Sequence, residues 1–303
     1  MSPRTIAITG ASGLIGTALS AHLRARGDQV VPFTRSGSGA PNAIAWNPAT
    51  GTIDGDRLRG VDAIVHLAGA GIGDKRWTDS YKREILESRT KSTALLASTL
   101  AGLDNGPKVL LSGSAIGYYG ESLTTEFTED SPAGSGFLAD VCVQWEEATE
   151  AASRAGIRVA HLRTGIVLSP KGGALKKLLP LFKVGAGGRM GSGRQRQSWI
   201  SIDDEVMAID HLLTANVTGA VNLTAPHPVT QAEFTKTLAK VLRRPSLLPV
   251  PSFGPKLLLG GELADALLFT GQKVLPTVLQ RSGFAFRHAD LESALRSLLG
   301  RPA

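Results

Sequence analysis

The stretch that most constrains this 303-residue chain is Thr9-Gly10-Ala11-Ser12-Gly13-Leu14-Ile15-Gly16, directly after the apolar run Thr5-Ile6-Ala7-Ile8. The run has the character of a strand buried on both faces. Leu14 to Arg24 continues as the helix that follows. A glycine-rich turn between strand and helix leaves backbone N–H groups above the helix N-terminus, where the helix dipole adds partial positive charge. Gly10 permits the turn, Gly13 lets a ligand approach the backbone, and Gly16 lets helix and strand pack closely. The arrangement cradles a pyrophosphate, with Ser12, Leu14 and Ile15 completing the loop. A glycine triplet alone would also suit a plain change of chain direction. Its strand–turn–helix setting favours the dinucleotide.

The second strand, Gln29 to Phe33, ends on Thr34-Arg35-Ser36. A site for NAD places a carboxylate about 20 residues past the glycines, to accept bonds from the ribose hydroxyls. Here that place falls to Arg35, which cannot accept such bonds. A guanidinium pairs with a 2′-phosphate instead, and Thr34 and Ser36 can donate to it. The expected ligand is NADP(H), against the plainer possibility of a solvated arginine at a strand end.

One cysteine, Cys142, rules out an intrachain disulfide and fits a reducing compartment. Residues 5–19 have the pattern of strand, turn and helix rather than of a secretion signal. The apolar stretch from Leu257 to Leu268 is broken by Gly260, Gly261, Glu262 and Asp265, so no run spans a bilayer. The default expectation is a cytoplasmic protein with no membrane partner. The net charge of +7 is spread along the chain, and no nucleic-acid-binding motif accompanies it. No spacing of His, Cys, Asp or Glu suggests a metal. A homodimer is expected only because two-fold dimers are the commonest oligomers.

Strands and helices alternate onward: strand Ala63–Leu67, helix Ser88–Leu100, strand Lys108–Ser112, helix Ala139–Ala155, strand Arg158–Arg163. This rhythm predicts an α/β fold with a doubly wound parallel sheet and ligands beyond the carboxyl ends of the strands. Leu67, Ala68, Gly69, Ser112 and Arg163 join the glycine turn as expected cofactor neighbours. A nucleotide-binding domain is expected over residues 1–166, with strands near 198–224 returning to it. Residues 167–303 are expected to form mainly a smaller substrate lobe, including a helical segment at 247–299. The glycine-rich stretch from Gly185 to Gly193 has the composition of a mobile loop. Arg189, Arg194 and Arg196 are candidates there for a substrate's phosphate or carboxylate, or else are solvated.

TGASGLIG at 9–16, HLAG at 66–69, SGSAIGYYG at 112–120 and SWISIDD at 198–204 together resemble the extended short-chain dehydrogenase/reductase superfamily. GDKRW at 73–77, SRT at 88–90, GYYG at 117–120 and the C-terminal GQKVLP…LQRSGFAFRHADLESAL narrow this. They look like the atypical "epimerase family" subgroup, with its small C-terminal domain of unknown function; some members carry the label of cell-division inhibitor. The resemblance implies a Rossmann sheet, a nicotinamide cofactor and oxidoreductase or nucleotide-sugar-epimerase-like chemistry.

One departure bears on that chemistry. The superfamily relies on a tyrosine and a lysine spaced YxxxK on one helix face, with a nearby serine or threonine. The lysine favours the tyrosinate, and the tyrosine shuttles a proton. The tyrosines here are Tyr81, Tyr118 and Tyr119, and none is followed four residues later by lysine. The pair's places fall near Phe137 and Val141. Ser114 stands where the family's serine lies. Tyr118 and Tyr119 are candidate substitutes, although tyrosines in such a loop commonly only pack. Lys75 and Arg76 are candidates for holding an anionic substrate or, more plainly, a solvated helix start. Cys142 and His66 are expected to be structural. The expectation is an NADP(H)-dependent enzyme acting on a small, anionic or sugar-like substrate with non-standard catalytic residues; the alternative is an NADP(H)-binding regulatory protein without catalysis.

Overall fold

The computed structural model describes residues 3–35, 42–246, 249–250, 253, 256–257 and 260–302. Its frame is an eight-stranded sheet: β1 (Thr5–Thr9), β2 (Gln29–Thr34), β3 (Ile44–Asn47), β4 (Thr52–Ile53), β5 (Ala63–His66), β6 (Val109–Ala115), β8 (Arg158–Thr164) and β12 (Gly219–Leu223). The order across the sheet is β12-β8-β6-β5-β1-β2-β3-β4. All neighbours are parallel except β3 and β4. From β1 the chain runs outward through β2, and from β5 it runs the other way. The switch point therefore lies between β1 and β5, where the carboxyl ends of the strands open a crevice for a ligand.

Burial on both faces follows from the sequence of the central strands: Ile6, Ile8 and Val65 face one core while Ala7 and Ile64 face another. The first core takes α1 (Leu14–Ala25), through Leu19 and Leu23, and α6 (Ile202–Thr214). The second takes α2 (Asp79–Ala101), through Leu96, Ala97 and Leu100, and α4 (Glu150–Arg154), through Ala152. The expected helix Ala139–Ala155 is two pieces, α3 (Phe137–Glu147) and α4, because Thr149 turns its hydroxyl onto the Glu146 carbonyl and His161. Helix α2 starts nine residues before the expected Ser88, capped by Thr78.

The remaining strands are short: β7 (Glu126–Phe127), β9 (Ile166–Leu168), β10 (Arg196–Gln197), β11 (Trp199–Ser201), β13 (Val229–Thr230) and β14 (Lys273–Val274). Of the late strands, β12 joins the main sheet beside β8, whereas β11 pairs with β9. A third core packs α5 (Gly173–Lys183), α7 (Gln231–Leu242) and α10 (Leu291–Leu298) around Trp199 and Phe234. The C-terminal part also holds the short helices α8 (Gly261–Ala264) and α9 (Thr277–Arg281). Asp204, fully buried on α6, ties it down by accepting from the backbone N–H groups of Arg287 and His288 at 2.7 and 3.0 Å. Among the described residues no helix is long and apolar enough to cross a membrane.

Candidate nucleotide-binding and catalytic site

The glycine turn is built as its spacing demands. Gly10 has φ +66°, and a Cβ there would stand 2.9 Å from the Leu67 carbonyl carbon and oxygen. A Cβ on Gly16 would meet the Gly10 oxygen at 2.2 Å. Gly13 closes the turn, its N–H donating to the Gly10 carbonyl at 2.9 Å. No side chain caps α1, and its first turn contains no acid. The helix thus presents N–H donors and unneutralised dipole charge beside exposed Ser12 and Gly13. These features fit a pyrophosphate. A cleft of about 890 Å³ opens alongside, between α1, α6 and the Ser169–Gly172 loop, and does not include Ser114.

Thr34 is half-buried at the end of β2, and Arg35 beyond it is exposed. Ser36 lies outside the described residues. Leu67 and Ala68 are held by Thr9, whose hydroxyl accepts from their N–H groups at 3.0 and 3.1 Å. Thr9 in turn meets His66 Nδ1 at 2.7 Å, and Thr93 meets Nε2 at 2.9 Å. Burial lowers the His66 pKa to about 4, so this ring is a neutral brace.

Ser114, next to last in β6, lies in a buried polar chain. Its hydroxyl donates to Glu146 Oε1 at 2.6 Å. Arg163, on β8, holds both oxygens of that carboxylate through Nε and Nη2, each at 2.8 Å. Arg163 Nη1 donates to the Tyr119 hydroxyl at 2.9 Å, and that hydroxyl donates to Asn222 Oδ1 at 2.7 Å. Burial opposes the Arg163 charge, but the bonds to Glu146 outweigh it and its pKa lies above the ordinary guanidinium value. Burial raises the Tyr119 pKa, with Arg163 only partly offsetting it. Arg163, expected beside the cofactor, here braces Ser114 and both tyrosines. Ser112 is fully buried two residues earlier on β6.

The two tyrosines of the loop differ. Tyr119 is buried, stacked on Phe127, and its hydroxyl is used twice. Tyr118 is half-buried with the Arg163 guanidinium 3.4 Å from its ring centroid. At the places of the missing pair, Phe137 packs edge-on against Trp77, and Val141 is buried with Tyr81 and Ile85. Cys142 is buried, and burial raises its thiol pKa to about 11, which removes it as a nucleophile.

The basic substrate candidates are dispersed. Lys75 pairs with Glu84 at 3.2 Å on the surface, and Arg76 donates to the Leu257 carbonyl. Arg189 turns back onto the Ser192 carbonyl at 2.8 Å, Arg194 is exposed, and Arg196 lies in β10, paired with Thr230 of β13. Three polar residues of this region were not among the sequence candidates: Glu146, Asn222 and Arg89. Arg89, in α2, lies over Trp145 with 4.9 Å between guanidinium carbon and ring centroid. The one available signal for it was the SRT triplet.

The NAD dependent epimerase/dehydratase family model matches residues 6–224, and a domain of unknown function, DUF1731, matches residues 250–298. An epimerase family protein of Mycobacterium bovis is 43% identical over the full length of both chains. The human epimerase family protein SDR39U1, solved with NADPH, superposes at a TM-score of 0.89 with 35% identity, covering 98% of this chain and 99% of that one. A nucleoside-diphosphate sugar epimerase from Corynebacterium glutamicum superposes at 0.81 with 37% identity, covering 99% of this chain and 59% of that one. UDP-N-acetylglucosamine 4-epimerase from Bacillus cereus, at 15% identity and a TM-score of 0.76, shares the fold. A glycine turn at the switch point, the Ser114 network and a C-terminal unit clamped by Asp204 thus agree with matches along the whole chain, which belongs to the NAD dependent epimerase/dehydratase family, in its atypical extended short-chain dehydrogenase/reductase subgroup.

Proposed function

We propose that this chain is an NADP(H)-dependent oxidoreductase or epimerase-like enzyme acting on a small substrate, in which Ser114 and Tyr118 replace the usual tyrosine–lysine pair. The observation that carries the proposal is the pinned Ser114–Glu146–Arg163 chain, with the Arg163 guanidinium carbon 3.4 Å from the Tyr118 ring centroid. The glycine turn and α1 would hold the pyrophosphate, and Arg35 would pair with the 2′-phosphate. The bound cofactor supplies or accepts the hydride at its nicotinamide. Ser114, whose own proton is held by Glu146, accepts from a substrate hydroxyl beside the reacting oxygen. Tyr118 moves the proton to or from that oxygen, and the adjacent Arg163 cation steadies the charge as the proton leaves. Tyr119 and Asn222 keep Arg163 in place. A small sugar-like or anionic substrate is the class proposed.

Titration of NADPH and NADH tests the first half. Wild type should prefer NADPH, Arg35→Ala should erase the preference, and Gly13→Asp should abolish binding of both; equal affinities unchanged by Arg35→Ala would overturn the assignment. A panel of aldehydes, ketones and nucleotide sugars, followed by nicotinamide absorbance, tests the second. Ser114→Ala and Tyr118→Phe should each slow turnover by about 10²-fold or more.

The apolar packing of Phe137 and Val141 favours one other reading, an NADP(H)-binding protein without catalysis. That reading requires tight NADPH binding, no turnover across the panel, and a change in partner affinity or oligomeric state on binding.

A further inference from the structure

Arg89 of helix α2 is a half-buried cation. The Arg89 guanidinium rests on the Trp145 ring, and its carbon lies 3.2 Å from where a Cβ on Gly69 would sit. Its Nη1 donates to the Ile85 carbonyl at 3.0 Å. No carboxylate among the described residues pairs with it, and burial lowers its pKa from the ordinary value. A half-buried cation without a counter-charge favours an arriving anion.

The location indicates which anion. Gly69 is two residues beyond Leu67, whose carbonyl Gly10 touches in the glycine turn. Helix α1 packs on one face of the sheet and α2 on the other. The capless end of α1 and the Arg89 head therefore flank the crevice between β1 and β5 from opposite sides. With Trp145 beside the guanidinium and Nη1 on the Ile85 carbonyl, Nε and Nη2 have no hydrogen-bond partner among the described residues and form a fork of the kind that binds phosphate oxygens bidentately. An anionic group of a substrate has the same chemistry, but adjacency to the glycine turn favours the dinucleotide.

We propose that Arg89 is the second jaw of a phosphate clamp, binding the pyrophosphate of the dinucleotide from the face opposite the glycine turn. This rests on the NADP(H) assignment above. It also gives Gly69 a reason to lack a side chain, since a Cβ there would push the guanidinium aside.

The test titrates wild type, Arg89→Gln and Arg89→Lys with NADPH and with adenosine 2′-monophosphate, which has no pyrophosphate, by calorimetry, with thermal melts confirming the fold. Arg89→Gln should weaken NADPH binding about 10- to 100-fold, the range of a charge-assisted phosphate contact. Adenosine 2′-monophosphate should bind all three within about two-fold. NADPH affinity unchanged in a folded Arg89→Gln chain would overturn the clamp and leave a substrate anion as the partner of Arg89. Equal weakening of both ligands would overturn it as well. If Arg89→Gln does not fold, Arg89→Lys decides: loss of the fork should cost about 3- to 10-fold for NADPH alone, and wild-type affinity would refute the proposal. A folded wild type that binds no NADPH would reject the cofactor assignment itself.

Discussion

Glu205 shows how much one buried acid can govern. It sits fully buried on α6, accepts from the Thr164 hydroxyl at 3.0 Å, and leaves Oε2 without a partner. Burial raises its pKa from 4.5 to about 8. The folded chain therefore holds a proton that the unfolded chain releases, and this group's contribution to stability falls as pH rises from 4.5 through 8. Glu205→Gln should remove that slope. Relative to wild type it should gain roughly 4 kcal/mol in going from pH 4.5 to pH 8, read by urea denaturation across the pH range; parallel pH profiles for the two proteins would contradict the assignment. In the polar chain beside Ser114, Glu146→Gln should be costly in another way. It leaves Arg163 buried without its counter-charge, a loss of about 3–5 kcal/mol measurable in the same titrations.

At the scale of elements, the glycine turn is the least forgiving. Gly16→Ala places a methyl 2.2 Å from a backbone oxygen that cannot yield without opening the turn. The expected result is a stability loss of roughly 2 kcal/mol or more, with weakened nucleotide binding; a crystal structure showing the turn unmoved would refute it. This turn was legible from its glycine spacing, and β1, β2, β5, β6 and β8 because each is a short apolar run bounded by glycine or polar residues. The early turns of α2 were not, because Asp79–Glu87 carries only Tyr81, Ile85 and Leu86 as apolar markers. The break between α3 and α4 rests on a side-chain bond from Thr149 that no periodicity reveals. The polar chain from Ser114 to Asn222 was illegible for a related reason. Its members come from β6, α3, β8, the Tyr118–Tyr119 turn and β12, joined only by sheet order. Ser114 and the tyrosines stood out by their motif; Glu146 and Asn222 had none.

Across the whole molecule, the C-terminal unit is stitched to the site rather than appended to it. Gln272 donates to the Ile116 carbonyl at 3.0 Å, Asn222 donates to the Leu275 carbonyl at 2.9 Å, and Ser198 accepts from the Val274 N–H at 2.8 Å. The segment from Gln272 to Leu275 thus supports the turn that carries Tyr118. Asp204→Ala would leave the buried His288 N–H, and the Arg287 N–H beside it, without their acceptor, at a cost of about 1–3 kcal/mol for the buried group. Hydrogen exchange should then quicken first near 284–290 and next across 116–119, while the β1–α1 turn stays protected. Uniform quickening would mean that the two regions are not coupled. The central claim is that one crevice brings the nicotinamide to Ser114 and Tyr118. The most direct measurement is a crystal structure of the NADPH complex. The claim predicts the 2′-phosphate at Arg35 and the nicotinamide beside both hydroxyls, with a substrate-sized space within about 3.5 Å of them. A nicotinamide ring directed away from Ser114 and Tyr118 would contradict it.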